Sequence, residues 1–177
     1  MFKIIDIAIT DDNTEPVSLE QAKAFCRITG EDEDSLITDL ITIAREKIER
    51  YTHLSLVAKD IVLTVEANQD FPLPYPVLDA ITTVKLLQGI NSDGSNDWQT
   101  LEASDYQTLG SNITTFYPPH NGVYEITYST TANTDKSLLH DLKRVLLWLY
   151  ENRGDDADNM PPELLSNAKH KRILSWV

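Results

Sequence analysis

The chain has 177 residues, of which 41% are hydrophobic, so it can bury the core of one domain or of one domain with an inserted module. Its formal net charge of −13 excludes a generally basic surface of the kind that binds nucleic acid. The one cysteine, Cys26, excludes an intramolecular disulfide and a multi-cysteine metal site, and we interpret it as a small buried apolar residue.

The charge is unevenly distributed along the chain. Residues 1–135 contain 22 acidic residues against 8 Lys or Arg, a balance of −14, whereas residues 136–177 contain 6 against 7, a balance of +1. No apolar run approaches the ~20 residues of a membrane span, and Asp6 interrupts the apolar N-terminal tract, which makes a poor signal peptide. We therefore expect a soluble protein that stays in the cytoplasm where it is made.

The first part of the chain predicts one short strand and a short helix. Residues 2–10 alternate loosely between apolar and polar, as a strand does. Ser18 and Gln21 have the spacing of a capping box, which predicts a helix that begins there and ends at Gly30.

A longer helix is predicted over residues 34–51, where apolar residues recur every three or four positions. The acidic run 31–34 lacks the glycine and the later glutamate of an EF-hand. We interpret it as negative charge at the positive end of this helix. The charged residues from Arg45 to Arg50, among them Glu49, predict an outer face in solvent.

The apolar period changes to two at residue 58, which indicates strands. Three prolines exclude helix from residues 71–77 and favour an extended edge or crossing segment. The run 91–96 (NSDGSN) is the clearest turn. The predicted strands are 58–67, 81–88, 98–101, 106–109, 113–117 and 124–128. Short strands with such frequent turns predict a small antiparallel sandwich or barrel.

A strongly apolar helix is predicted from Leu138 to Gly154, with Asp135 or Thr134 as its N-cap and Gly154 at its C-terminal end. Six apolar or aromatic residues in succession, 145–150, extend its apolar stripe beyond one face. A helix that is apolar nearly all round is buried on more than one side. We therefore predict a subunit interface here. Its candidate residues are Leu147, Trp148 and Tyr150.

A final helix follows two prolines, Pro161 and Pro162, of which the second suits a first helical turn. Its apolar positions include Leu164, Leu165, Ala168, Ile173 and Trp176. A basic cluster, 169–172, lies near its end. Two interpretations stay open, namely a basic last turn that suits the helix dipole, or a contact with an acidic partner.

These elements predict an α+β fold. It comprises a helical bundle of two N-terminal and two C-terminal helices, with a small antiparallel β-sandwich or barrel inserted between them. The predicted boundaries are 1–57 for the N-terminal helical part, 58–130 for the β module, and 131–177 for the C-terminal helical part that packs with 1–57.

The sequence contains no catalytic constellation. Ser137, His140 and Asp141 are the residue types of a triad, but His140 and Asp141 are neighbours on a helix and point about 100° apart. The four histidines have no ligand spacing, and the phosphate-binding and zinc-protease motifs are missing. We predict that the protein is not an enzyme and has no metal and no cofactor.

The order of these segments resembles the head–tail connector (adaptor, or head-completion) proteins of tailed bacteriophages and prophages. The resemblance covers residues 16–154, first in PVSLEQAKAFCRI and EDEDSLITDLITIAREKIERYT, then in the proline-rich segment 71–77, and it fits the longer members with an inserted β module. Matching positions include Leu19, Ala22, Lys23, Phe25, Arg27, Asp34, Ile37, Leu40, Ile41, Ala44, Ile48, Glu49, Tyr51, Ile81, Val84, Asp105, Tyr106, Ile126, Thr127, Tyr128, Leu142, Lys143, Leu149, Tyr150, Asn152 and Arg153.

This resemblance implies a structural virion protein at the head–tail junction, made in the host bacterial cytoplasm. Such proteins form a homo-oligomeric ring of about twelve copies beneath the portal protein, extend the DNA channel, and offer a docking surface to a downstream tail or stopper protein. DNA passes the lumen without specific binding, because an acidic wall repels phosphate. The candidate portal contacts are Lys169, Lys171, Arg172 and Trp176.

The alternative is a cytosolic, non-enzymatic module that binds a peptide or a sugar through the β insertion. Exposed Trp98, Tyr106 and Tyr117 are its expected anchors, since aromatic residues dominate such contacts. For Trp98, which follows a turn, a place at the end of the β core is the competing interpretation.

Overall fold

The structure is a computed structural model that describes residues 1–11, 14–75, 78–110, 113–152 and 160–172. It confirms the predicted α+β class, with helices and antiparallel sheets. The chain divides into two compact units. The β unit holds the described residues of 1–12 and 58–132, and the helical unit holds those of 13–57 and 133–175.

Within the described residues, the β unit contains a five-stranded and a three-stranded sheet, with all pairs antiparallel. The strands of the larger sheet, in spatial order, are β1 (Phe2–Asp11), β2 (Lys59–Ala67), β8 (Gly122–Thr130), β4 (Leu78–Ile90) and β5 (Asn96–Thr100). Those of the smaller sheet are β3 (Phe71–Pro72), β7 (Thr115–Tyr117) and β6 (Gln107–Leu109).

The core of the β unit lies where the alternating strands predicted it. On β8, Tyr124, Ile126 and Tyr128 are fully buried, and they face the same core as the alternate residues of β2. From the smaller sheet, the ring of Phe116 packs 5.9 Å from that of Tyr124 and 5.5 Å from that of Phe71. Aromatic pairs at this spacing add to the free energy of simple burial.

Both buried tyrosines keep a hydrogen-bond partner. The hydroxyl of Tyr128 donates to the carbonyl of Pro74 at 2.8 Å, and that of Tyr124 donates to the carbonyl of His120 at 2.6 Å. Burial, followed by the neighbouring Tyr75, raises the pKa of Tyr128 far above its usual range. These bonds fix the loop segments before β4 and β8 against the core, because an unpaired buried hydroxyl is costly.

The helical unit contains α1 (Leu19–Cys26), α2 (Asp34–Thr52), α3 (Lys136–Glu151), a 3₁₀ turn (Pro162–Leu165) and α4 (Ser166–Lys171). The capping box of Ser18 and Gln21 is present as predicted. The prediction that α1 ends at Gly30 is wrong. The helix ends at Cys26, because Arg27 takes the left-handed conformation (φ 57°) and its N–H donates to the carbonyl of Lys23.

The predicted solvent-exposed charged face of α2 is wrong at two positions, since Arg45 and Glu49 are buried. The Arg45 Nε lies 3.0 Å from an oxygen of Glu15, and its Nη1 lies 3.2 Å from Glu49. Glu49 also accepts from the backbone N–H of Leu56 at 2.7 Å. A buried carboxylate and guanidinium need such partners, so these charges pin the segments before and after α2 to the helix.

The boundary predicted for the N-terminal helical part also differs from the structure at one end. The prediction includes residues 1–12 in it, but the described part of this segment belongs to the β unit. The cause is β1, which pairs with β2 over nearly its whole length, from Phe2 opposite Ala67 to Asp11 opposite Lys59. Among the described residues, no helix is both long and apolar enough to cross a membrane.

We predict that Thr130→Val stabilises the protein by about 1 kcal/mol, since the buried Thr130 hydroxyl has no hydrogen-bond partner within the described residues. The matched control is Thr52→Val, because the Thr52 hydroxyl is also buried, donates to the carbonyl of Ile48 and accepts from Leu54 N–H. In thermal unfolding, the midpoint temperature should rise for Thr130→Val and fall for Thr52→Val. A loss of stability in Thr130→Val equal to that of the control would contradict the prediction.

Candidate assembly surfaces

The residues on the apolar faces of helix α3 are of two kinds, some buried and some half-buried. Six of its residues are buried, namely Leu138, Asp141, Leu142, Val145, Leu146 and Leu149. Two of the predicted interface residues, Leu147 and Trp148, are half-buried and keep part of their side chains exposed. The apolar run 145–150 therefore includes side chains that are only partly covered, and the subunit interface predicted there stays a prediction.

The third predicted interface residue, Tyr150, is half-buried and has a defined role inside the helical unit. Its hydroxyl donates to a carboxylate oxygen of Glu33 at 2.5 Å, and Glu33 is the N-cap residue of α2. Part of the acidic run 31–34 thus lies at the helix N-terminus, as predicted. The ring of Tyr150 links the end of α3 to the start of α2.

The basic cluster lies at the end of α4, and its described residues are exposed. Lys171 Nζ lies 2.8 Å from a carboxylate oxygen of Asp135, and the Arg172 guanidinium lies 5.3 Å from the centre of the Tyr51 ring. No ion pair of Lys169 occurs among the residues that the structure describes. Trp176, the fourth predicted portal contact, lies outside those residues, as do Ile173, Gly154 and Arg153.

Asp135 connects the basic cluster to the start of α3. It is the N-cap of α3 and accepts from the Ser137 N–H at 2.8 Å and from the Ser137 hydroxyl at 2.6 Å. Lys171, and then Ser137, hold the pKa of Asp135 well below its usual range. Its contribution to stability is therefore present above the ordinary carboxyl pKa and is lost as the pH falls below it.

The anchor of the C-terminal segment is a residue that the sequence did not reveal. Asp141 of α3 is fully buried, and one of its oxygens accepts from the backbone N–H groups of Asn167 and Ala168 at 2.9 and 2.8 Å. Its other oxygen accepts from the Asn167 side chain at 2.8 Å. Arg144 donates to the Glu163 carbonyl and to the Ser166 hydroxyl. Together, these bonds hold the basic segment onto α3.

The residue types of a triad are thus used structurally. Asp141 binds the start of α4, Ser137 donates to Asp135, and the His140 ring packs edge-on against Phe25 at 6.1 Å. Among the described residues, no group of three or more His, Cys, Asp or Glu could hold a metal ion.

A second surface that the sequence did not reveal lies on β1. Four isoleucines of this strand, Ile4, Ile5, Ile7 and Ile9, are exposed although they are large and apolar. The signal was available in the isoleucine-rich segment FKIIDIAIT. That segment predicts only a short strand, because sequence periodicity does not show whether a strand lies inside a sheet or at its edge.

Of the three aromatic anchors of the alternative function, Trp98 lies in the larger sheet, whereas Tyr106 directly precedes Gln107, the residue of the smaller sheet that pairs with Tyr117. The ring of Tyr106 stacks on the buried Phe116 at 5.5 Å, so this side chain belongs to the margin of the core. Trp98 lies on β5 opposite Leu87 of β4, and Tyr117 lies on β7. Burial raises the pKa of Tyr106.

The fold resembles that of chains in solved structures of gene transfer agent (GTA) particles. Three of these are described as the neck of an empty GTA particle computed with C6 symmetry, the virion of a native GTA particle, and the neck of a native GTA particle computed with C12 symmetry. Their TM-scores are 0.71, 0.69 and 0.64. Each match covers 100% of this chain and 97% of the other at 16% identity, which indicates a shared fold.

Residues 16–86 match the family described as phage gp6-like head-tail connector protein. The resemblance to head–tail connectors predicted from the sequence is therefore confirmed over this segment, which runs from the start of α1 into β4. No protein with a curated description matches the chain.

We predict that Asp141→Ala loosens the C-terminal segment, because it leaves two backbone N–H groups at the start of α4 without their acceptor. The expected cost is about 2 kcal/mol. Amide hydrogen exchange should accelerate over residues 163–171. The control is Asp39→Ala, at an exposed position of α2, which should leave the exchange unchanged. Equal protection in both variants would contradict the anchoring role.

Proposed function

We propose that this protein is a structural virion component, a head–tail connector or adaptor. It forms an oligomeric ring that attaches to the portal, extends the DNA channel and offers a docking surface to the next tail component. The observation that carries the proposal is the match to neck chains over the full length of this chain, together with the connector family's signature at residues 16–86. Its place is the head–tail junction of the particle.

The finer architecture that we propose is a helical bundle with an inserted β-sandwich or barrel. It is supported by the helical unit, in which described residues of 13–57 and 133–175 belong together, while the strands between them form the β unit with β1. The bundle would present the α3 surface and the basic cluster, and the β unit would present the exposed strand β1.

The proposed partners are further copies of this chain, the portal protein and a downstream tail or stopper protein. In a closed ring, one surface of each subunit contacts a different surface of the next subunit. The C6 and C12 symmetry in the descriptions of the neck structures supports such an arrangement. The proposed role needs no chemistry, so we infer that the protein is not an enzyme and that it works without a cofactor.

The acidic charge suits a wall past which DNA slides. With a net charge of −13 per copy, the ring would repel the phosphate backbone rather than hold it. The basic cluster at the end of α4 is an exception to this acidic charge, and we propose that it contacts the portal protein. Lys169, Lys171 and Arg172 are exposed there, and Trp176 follows in sequence.

We assign the half-buried end of α3, with Leu147, Trp148 and Tyr150, to the contact between subunits. Trp148→Ala should weaken self-association by about tenfold or more, since buried tryptophans dominate interface energies. Sedimentation velocity over a concentration series measures this effect. The control is Leu139→Ala, another half-buried position of the same helix. If Trp148→Ala lowered only thermal stability and left association unchanged, Trp148 would be an ordinary core residue.

The portal contact is tested by reversing charge. Lys169→Glu should weaken co-purification with the portal protein encoded in the same genome, and the loss should shrink at high salt, because screening weakens exposed charge pairs. The matched control is Glu20→Lys, an exposed position of α1 with a charge change of the same size. Unchanged portal binding by Lys169→Glu, with the control also unchanged, would refute the assignment.

A further inference from the structure

Within the described residues, the larger sheet is open at both ends, namely along the outer side of β1 at one end and, at the other, along the outer side of β5 and the half of β4 that β5 leaves uncovered. At one end lies β1, whose outer side faces no other strand from Lys3 to Thr10. At the other side lies the first half of β4. Strand β5 pairs with β4 from Lys85 onward, and Leu101 bonds the carbonyl of Val84, so the outer edge of residues 78–83 stays open.

The β1 edge carries an apolar row that few solvent-facing strands have. Ile4, Ile7 and Ile9 lie opposite buried residues of β2, on the core side of the sheet, yet each stays more than a third exposed. Ile5 lies at a bulge in the pairing and is 52% exposed. A long edge strand of this composition promotes pairing with another chain unless a partner covers it.

The open half of β4 borders a cavity of about 430 Å³. Its apolar lining includes Leu78 and Ile81 from β4 with Tyr106 and Leu109 from the region of β6. Leu109 is 57% exposed, and β6 is itself one of the two outer strands of the smaller sheet among the described residues. The cavity thus offers backbone hydrogen-bonding groups at its margin and an apolar floor for side chains.

The directions of the strands indicate that a second copy of this chain can supply the strand that pairs with the open half of β4. Each neighbouring pair from β1 through β2 and β8 to β4 is antiparallel, so β1 and β4 run in opposite directions. In a ring, rotation about the central axis keeps all subunits in the same sense along that axis. The β1 of a neighbouring copy therefore arrives antiparallel to β4, which is the more common pairing in sheets.

We propose that β1 of one copy docks on the open half of β4 in the next copy, where its isoleucines cover the cavity. The contact is heterologous, because an edge of one subunit meets a different edge of its neighbour, and it can therefore propagate around a ring. This inference rests on the proposed ring and names a surface for it in addition to the end of α3. Backbone pairing supplies affinity in such strand additions, and the side chains set the register.

The direct test is thiol cross-linking in a Cys26→Ala background, with Ala8→Cys on β1 and Thr82→Cys on β4. Both positions are exposed, and both substitutions are small. With a short bifunctional thiol reagent, the double variant should give a ladder of dimers, trimers and higher covalent oligomers. A mixture of the two single variants should give only a dimer that joins one copy of each. Thermal unfolding of every variant establishes that it is folded.

Substitution of an isoleucine gives an independent measure. Ile7→Lys should weaken self-association by about tenfold, because it places a charge in an apolar contact. The control is Ile90→Lys, at the far end of β4, where the side chain is 73% exposed and lies outside the open half. This control should associate as the unmodified chain does.

Each other outcome overturns the inference in a recognisable way. Dimers from Ala8→Cys alone would indicate a two-fold contact between two β1 strands. Self-association that neither cross-links in the double variant nor responds to Ile7→Lys would leave the ring and the proposed function standing and remove this surface. A chain that stays monomeric at every concentration would exclude an attraction between copies, whereas recovery of the same chain bound to its portal would still support the connector function.

Discussion

An antiparallel sheet satisfies the backbone groups of every strand except the two outermost, and this constraint governs the β unit. In the larger sheet, β2 and β8 lie inside and carry the buried alternation, while β1, β5 and the first half of β4 lie at the margins. Proteins that remain monomeric protect such edges with charge, proline or a covering segment. Here, one edge carries exposed isoleucines instead, which is an arrangement suited to assembly.

In the helical unit, the governing constraint is that buried polar groups need partners, and these contacts hold its segments together. Asp141 binds the first N–H groups of α4, and the ion pairs of Arg45 bind Glu15 and Glu49. Each of these carboxylates would be costly to bury alone, so each depends on the segment that it holds. The basic segment at the end of α4 is consequently placed by a carboxylate 26 residues earlier in the chain.

Local signals predicted much of the fold. The capping box at Ser18, the strand over 58–67 and the buried face of Tyr124, Ile126 and Tyr128 all depend on residues close in sequence, and the structure contains each of them. The predictions failed where the burial of a residue or the end of a helix depends on more than the local sequence pattern. Arg45 is buried because Glu15 and Glu49 pair with it, and α1 ends early because Arg27 adopts a left-handed conformation that is rare outside glycine.

The candidate surfaces divide in the same way. The excess of apolar residues at the end of α3 was predictable, because the apolar run is longer than one helix face can bury. The cavity beside β4 was not, since it depends on which strands become neighbours in the sheet. The edge position of β1 was hidden for the same reason, although the isoleucines themselves are plain in the sequence.

We propose that copies of this chain associate through unlike surfaces into a closed ring. Native mass spectrometry of the purified protein over a concentration series, with negative-stain images of the same samples, measures this most directly. We expect closed rings of a single copy number that become more abundant with concentration. Monomers at every concentration, or open chains of increasing length, would contradict it.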